Sequence, residues 1–393
     1  MIGNPCQMSE LVISLMFWSS CLVVAYTYLG FPLCLFLMTR GKSRPVPQEL
    51  PAGKLPSVSF LVCACNEEPV IEKKLRNCLD LDYPEDKLHF IFVADGSTDR
   101  TNQILSRYAG PRIRTLLRAE RMGKINALKA GFAACDAEII VFSDANTFYR
   151  PDALRKLLRH FSDPEVGVVT GDVRLLPSKE QFGEGEGLYY RYERYLQTLE
   201  TAFWSIVSVD GGMYALRRLL LVPPSYQEVP DDFIIGMNVA RQGFRMVYDP
   251  EAIAEEPPTP TSSQEFNRKV RIVAHGVQSI LAREGAPHLR QGRLLWVYLS
   301  HKVLRWIVPV FLVAAFLSSA MLLPFSAWWT VPVLAQTGFY GLAVAGWRWQ
   351  WNGRLFRVPY YFCMVNLAAL RGILRGLRRA EKVLGVKTDR IAA

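Results

Sequence analysis

The sequence predicts an α/β domain, a sheet covered by helices, flanked by helices that cross a membrane. Three observations lead there. From Val58 onward short apolar runs alternate with helix signals, the pattern of a sheet packed between helices. Each run ends in a polar cluster, at the carboxyl edge where open α/β sheets bind ligands. Both ends of the chain carry long stretches almost free of charge.

The elements follow in order. Residues 11–38 are uncharged and exceed the roughly 20 residues a helix needs to cross a bilayer. Arg40, Lys42 and Arg44 follow directly, against Glu10 alone before it, so this flank is expected to be cytoplasmic and the N-terminus outside. Pro45, Pro47, Pro51 and Pro56 make an extended linker. Strands are expected at 58–65, 89–94, 113–117 and 139–142, with helices at 67–79, from about 98 to 108, and at 124–135. Ser97, Thr98 and Asp99 are expected to cap the second of these helices, and Pro151 suits the first turn of another. Asp231 and Asp232, after Pro230, open an apolar, helix-periodic run; taken alone, carboxylates there read as helix caps, and a functional role rests on what the rest of the chain supplies.

After residue 286, basic and aromatic residues interleave from His288 to Trp306, as in an interfacial helix. Residues 306–323 and 327–346 follow as two expected spans around the turn at 324–326. Residues 355–370 contain Arg357 and Pro359 and precede Arg371, Arg375, Arg378, Arg379 and Lys382. They are expected to lie on the surface or re-enter, leaving the tail cytoplasmic.

Composition narrows the classes. The 393 residues are 50% hydrophobic with a net charge of +10, enough for one catalytic domain and an anchor. The basic excess borders apolar stretches and has no aromatic-interleaved groove, which points to membrane lipids and anionic substrates and away from nucleic acid. The eight cysteines show no zinc-like spacing and are expected to be reduced.

Cys65-Asn66-Glu67-Glu68, Ala94-Asp95-Gly96-Ser97-Thr98-Asp99, Gly123-Lys124-Ile125-Asn126, Ser143-Asp144-Ala145-Asn146, Pro230-Asp231-Asp232 and Arg268-Lys269-Val270-Arg271 occur in the order seen in family 2 glycosyltransferases. The chain resembles a membrane-bound member of that family over about residues 55–285. The resemblance implies a GT-A fold, Rossmann-like with a mixed central sheet and helices on both faces. It divides the chain into an N-terminal span and linker (1–54), a cytoplasmic catalytic domain (55–286), and a C-terminal part with a hairpin and basic tail (287–393).

It also implies roles. Asp95 resembles the aspartate that binds the nucleotide base or ribose, with Asn66 and Glu67 in the neighbouring loop. Asp144 resembles the first aspartate of the D-x-D motif, which holds Mg²⁺ or Mn²⁺ against the diphosphate. Asn146 departs from that motif by supplying an amide. Lys124, at a helix start, suits anionic oxygen. Gly211 and Gly212 resemble the acceptor-side segment, beside Asp231 and Arg268. Asp232 occupies the place of the general base of an inverting enzyme. Arg271 matches the arginine of the Q-x-x-R-W motif, but Arg268 replaces its glutamine and Ile272 its tryptophan. The stacking ring of a processive enzyme is thus missing unless Trp204 or Tyr214 substitutes. The implied reaction moves a sugar from a nucleotide diphosphate sugar, a UDP-sugar first, to a lipid-linked or glycan acceptor at the cytoplasmic membrane face. A processive polysaccharide synthase and a catalytically silent nucleotide-sugar-binding scaffold are the alternatives.

Overall fold

The computed structural model of the chain describes residues 5–41, 46–176, 183–224, 231–257, 261–282, 284–349, 351 and 353–378. Lys42, Arg44, Pro45, Pro230, Arg379 and Lys382, used above as flank, linker, turn and tail signals, lie outside the described residues.

The part of the chain from Val58 to Glu256 is built on one sheet. Its first part comprises β1 (Val58–Ala64), α3 (Glu68–Leu79), β2 (Leu88–Asp95), α4 (Thr101–Tyr108), β3 (Ile113–Arg118), α5 (Lys124–Ala134) and β4 (Ile139–Asp144). They are preceded by α1 (Pro5–Ala25) and α2 (Phe31–Thr39), and every strand and helix expected between 58 and 142 is present within a few residues. These strands pair in parallel, joined through the helices between them as parallel neighbours require. The second part comprises β5 (Phe148–Tyr149), α6 (Ala153–Arg159), β6 (Val166–Leu175), α7 (Gly183–Phe203), β7 (Tyr214–Arg217), α8 (Asp231–Arg241) and β8 (Arg245–Glu256). It extends the sheet to the order β3-β2-β1-β4-β7-β6-β8-β5. The β4–β7, β6–β7 and β5–β8 pairs are antiparallel, so the sheet is mixed.

Alternation along β1 sends Phe60 to one face and Leu61 to the other, and each face carries its own core. Ile71 and Leu75 of α3, Leu105 of α4 and Leu154 of α6 cover the first face. Leu128 of α5, Leu196 of α7 and Ile234 of α8 cover the second. Phe31 and Leu35 of α2 are fully buried in that second core, so the N-terminal apolar helix docks on the sheet.

The C-terminal part departs from expectation. α10 (Gly292–Tyr298) and α11 (Leu304–Met321) are joined by the π turn Leu299–Val303 into a single helix. The basic, aromatic segment expected to lie in the interface is therefore the first part of the apolar helix, because Leu294, Val297 and Tyr298 are buried in the catalytic core. Among the described residues two helices are long and apolar enough to cross a membrane, Gln7–Thr39 and Gly292–Met321. The second expected span forms α12 (Thr330–Arg348), but Gln336 and several glycines keep it below that level of apolarity. Residues 355–370 belong to α13 (Arg354–Leu377), which packs along α9 (Ser262–Leu281). A Cβ at Gly372 or Gly376 would come within 3.0 Å of Val273 or Ala274 of α9, so these glycines permit the approach.

A charged seam joins α7 to the 292–321 helix. His301, 5% exposed, lies between Glu200 and Glu193, and Arg305 pairs with Glu193. Beside it the π turn Tyr26–Gly30 meets the π turn Leu299–Val303 through Tyr26 Oη and Ser300 Oγ, 2.9 Å apart, and Trp296 Nε1 donates to the same tyrosine at 3.1 Å.

Candidate active site

The site forms where β1, β2 and β4 end and α8 begins. Asn66 takes a left-handed backbone (φ 54°), a conformation an asparagine tolerates at a turn, and its Oδ1 accepts from the Thr98 N–H at 2.7 Å. Ser97 Oγ accepts from the Asn66 N–H, and Thr101 Oγ1 from the Glu67 N–H. Ser97 and Thr98, expected to cap α4, thus tie the 66–68 loop instead. Asp99 alone bonds the helix start, through the Thr101 N–H, and it also accepts from the Glu68 N–H.

Asp95 is 4% exposed. Its two oxygens accept from the backbone N–H groups of Met122 and Gly123 at 3.0 and 2.7 Å. It thereby fixes the loop that starts α5 and delivers Lys124. Lys124 reaches across the cleft, with Nζ 3.3 Å from Asp144 Oδ1 and 3.2 Å from Asp231 Oδ2. Burial opposes its charge, but Asp144, Asp231 and Asp232 outweigh that and hold the ammonium well above its ordinary value. These groups line a cleft together with Leu61, Cys63, Leu128, Phe142 and Tyr214.

Asp231 and Asp232 form the first turn of α8, as the sequence indicates. Asp232 Oδ1 accepts from the Phe233 N–H at 2.7 Å. Burial, then the charge of Asp231, pushes its carboxyl up to about 7, against the pull of Lys124. Gly211 passes so close that a Cβ there would lie 3.0 Å from Asp232 Oδ2. Asp210 holds that glycine pair, accepting from the Gly212 N–H and from Arg194, which also pairs with Asp172.

Arg271 and Arg268 of α9 sit one turn apart but separate in role. Among the described residues Arg271 makes no hydrogen bond or ion pair. Burial and Arg268 lower its guanidinium, while Asp144 and Asp231, both within its electrostatic reach, act in the opposite sense. Arg268, expected beside the acceptor, is instead clamped by the fully buried Glu265 (2.7 and 2.9 Å) and by Tyr190 Oη (2.6 Å). A buried carboxylate needs such partners, so this arginine is committed to packing.

A divalent cation would find few protein ligands. Among the described residues there is no cluster of His, Cys, Asp or Glu with metal-binding geometry. Asp144 is 37% exposed and its carboxylate faces the cleft. Asn146 turns its amide NH₂ to Glu256 Oε1 at 3.1 Å. One carboxylate, completed by waters and phosphate oxygens, fits the sparse coordination of Mg²⁺ and Mn²⁺ sites on nucleotides.

Residues 59–221 match the model of Glycosyl transferase family 2. A beta-monoglucosyldiacylglycerol synthase of Nostoc sp. is 32% identical over 174 residues, 43% of this chain and 37% of that protein. An N-acetylglucosaminyltransferase of Bradyrhizobium elkanii is 32% identical over 123 residues, 30% of this chain and 67% of that protein. The chain spans about half or less of the length of the first curated relatives it matches. Among solved structures, a mannosyltransferase of Pyrobaculum calidifontis in complex with GDP-Man and Mn²⁺ superposes with a TM-score of 0.73 at 22% identity, over 93% of this chain and 100% of that one. The mixed sheet and this likeness bear out the GT-A fold expected from the motifs. By the family match and by the relative it covers to two thirds, the chain belongs to glycosyltransferase family 2.

Proposed function

We propose that the chain is an inverting glycosyltransferase that moves a sugar from a nucleotide diphosphate sugar, a UDP-sugar first, to a lipid-linked or polysaccharide acceptor at the cytoplasmic face of a membrane. The observation that carries this reading is the carboxyl of Asp232, raised to about 7 beside a lysine-bridged pair of carboxylates. A base needs such a value to take a proton near neutral pH.

Asp144 would hold Mg²⁺ or Mn²⁺, which neutralises diphosphate charge when bound. Lys124 and Arg271 flank the same space with donors for the departing diphosphate. Asp232 accepts the proton of the acceptor hydroxyl as its oxygen attacks the anomeric carbon. Attack from the side opposite the diphosphate forms the new C–O bond as the old one breaks, which inverts that carbon. Asn66, Glu67 and Asp95 shape the nucleotide end, Asp95 by setting the 118–124 loop. Gly211 and Gly212 leave room for the acceptor next to the base.

The two apolar helices, docked on or continuous with the catalytic core, support a unit held at a bilayer. The glucosyldiacylglycerol product named for the Nostoc relative favours a lipid acceptor over a polymer. Ile272 is 39% exposed and offers no ring, Tyr214 is 1% exposed and stacked on Phe142, and Arg245 and Arg293 cover the ring of Trp204. With no free aromatic face at these positions, transfer of one or few sugars is favoured over processive synthesis.

The test is thermal stability of the purified protein with a panel of nucleotide sugars, with and without Mn²⁺. The matching donor at about 100 times its dissociation constant stabilises by about 2.7 kcal/mol. Stabilisation by no nucleotide would overturn the reading in favour of a structural protein. Product lengths early in a reaction with limiting lipid acceptor separate single transfer from polymerisation.

A further inference from the structure

Behind the cleft, on the opposite side of β4 from Lys124, lies a charge that the roles above do not use. Lys74 of α3 is 0% exposed. Its Nζ donates to Ser143 Oγ at 2.7 Å and to the Thr147 carbonyl at 2.5 Å. The rings of Tyr149 and Phe60 flank it, their centroids 4.8 and 5.1 Å from Nζ. Among the described residues no carboxylate lies within ion-pair distance of it. A buried ammonium without a counter-ion is costly, and a methionine or leucine would fill the same space between two rings at no such cost.

The partners of Lys74 are the two ends of one turn. Ser143 Oγ, accepting from Lys74, donates onward to the Asp144 carbonyl at 3.1 Å, and the Thr147 N–H donates to that same carbonyl at 3.3 Å. Lys74 thus closes the segment 143–147 from beneath, with Asp144 directed toward Lys124 and Asn146 toward Glu256. One turn along α3, Asn77 clamps the strand that follows, donating to the Tyr149 carbonyl at 2.7 Å and accepting from its N–H at 2.9 Å. α3 itself begins at the 66–68 loop, so one rigid helix links the nucleotide end of the cleft to its diphosphate end.

We propose that Lys74 is a positioning residue for donor binding: its buried side chain holds the Ser143–Thr147 turn so that Asp144 faces the diphosphate. This rests on the nucleotide-sugar reading of the site. Lys74 touches neither donor nor acceptor; it acts through Asp144.

The experiment compares full-length wild type, Lys74→Met, Ser143→Ala and Asp144→Ala by calorimetric titration with UDP and with GDP, each with and without Mn²⁺. Melting temperatures verify folding. Lys74→Met is expected to weaken the Mn²⁺-dependent affinity about tenfold or more, in the direction of Asp144→Ala, while the affinity without metal stays at the wild-type value. The donor KM rises accordingly and kcat changes less. A residue that only supported the fold would lower the melting temperature and leave the metal-dependent component intact. Should Lys74→Met not fold, Ser143→Ala removes the same contact from the other side and is expected to shift the metal-dependent affinity in the same sense. Loss in Asp144→Ala but wild-type values in folded Lys74→Met, or in Ser143→Ala where that variant stands in, overturns the role of Lys74 alone. Absence of nucleotide binding in wild type overturns the site reading and this inference with it.

Discussion

Replacing Asp232 by asparagine isolates the base, because the amide keeps the side chain's shape and the contact from the Phe233 N–H but cannot accept a proton. With its carboxyl near 7, about a tenth of the wild-type protein carries the ionised base at pH 6 and about nine tenths at pH 8, so kcat/KM rises about tenfold over that interval. Asp232→Asn should lower kcat by roughly 10² to 10⁴ and flatten this limb. Asp231→Asn, by removing the neighbouring negative charge, should move the limb to lower pH. The variant also leaves a mark on stability. Because the folded pKa of Asp232 stands above its ordinary 3.8, the native state holds more protons than the unfolded chain between about pH 4 and 7. Wild-type stability therefore falls as pH rises through that window, and in Asp232→Asn this contribution disappears. Initial rates from pH 5.5 to 8.5 at saturating donor, with melting curves over pH 4 to 8, check both. An Asp232→Asn protein that is folded and retains a wild-type rate or the same acid limb would show that another group takes the proton.

Four further outcomes follow from particular residues. Gly211→Ala places a methyl 3.0 Å from Asp232 Oδ2, so the carboxylate must give by a few tenths of an ångström; kcat should fall about tenfold with donor KM unchanged, as steady-state kinetics would reveal. Asn146→Asp replaces the amide that donates to Glu256 at 3.1 Å with a second carboxylate, so its melting temperature should drop without metal and recover with Mn²⁺ more than that of wild type; equal melting curves would contradict the contact. Arg268→Met strips the buried Glu265 of its best partner, leaving Lys269 at 3.4 Å, and should cost about 3 kcal/mol in denaturant unfolding. Arg271→Met should leave stability nearly unchanged and lower turnover.

How far the sequence reveals this molecule depends on the range of the interactions involved. β1 to β4 are legible because each strand is a continuous apolar run followed by a helix, and parallel neighbours arise from crossovers of predictable hand. β6, β7 and β8 are not, since β7 is four residues long and inserts between strands distant in sequence, and β8 carries Pro250 and a run of acidic residues. Arg268 and Arg271 differ only in the face of α9 they occupy, and nothing local says that Glu265 and Tyr190 await the first. Lys74 is the sharper case. A lysine in an amphipathic helix is ordinarily solvated, and its burial follows from contacts to residues about 70 positions away. The carboxylates of the site were legible through motif order, whereas the ties from Asp95 to Met122 and from Asn146 to Glu256 required the folded chain.

The seam of Glu193, Glu200, His301 and Arg305 gives the enzyme a fixed stature. A catalytic unit on a slack tether samples many heights, but here the stem and the sheet share a core and a set of buried charges, so they behave as one lever. For the lipid acceptor proposed above, a hydroxyl would then meet the base at one level along the stem, set by how far it projects from the apolar anchor. The π turn at Leu299–Val303 sets that level. It holds one residue more per turn than an α-helix would, and that residue is taken up within the turn, so the helix keeps its facing on both sides and Arg305 meets Glu193. For such an acceptor, the gauge of length would lie in the stem as well as in the cleft.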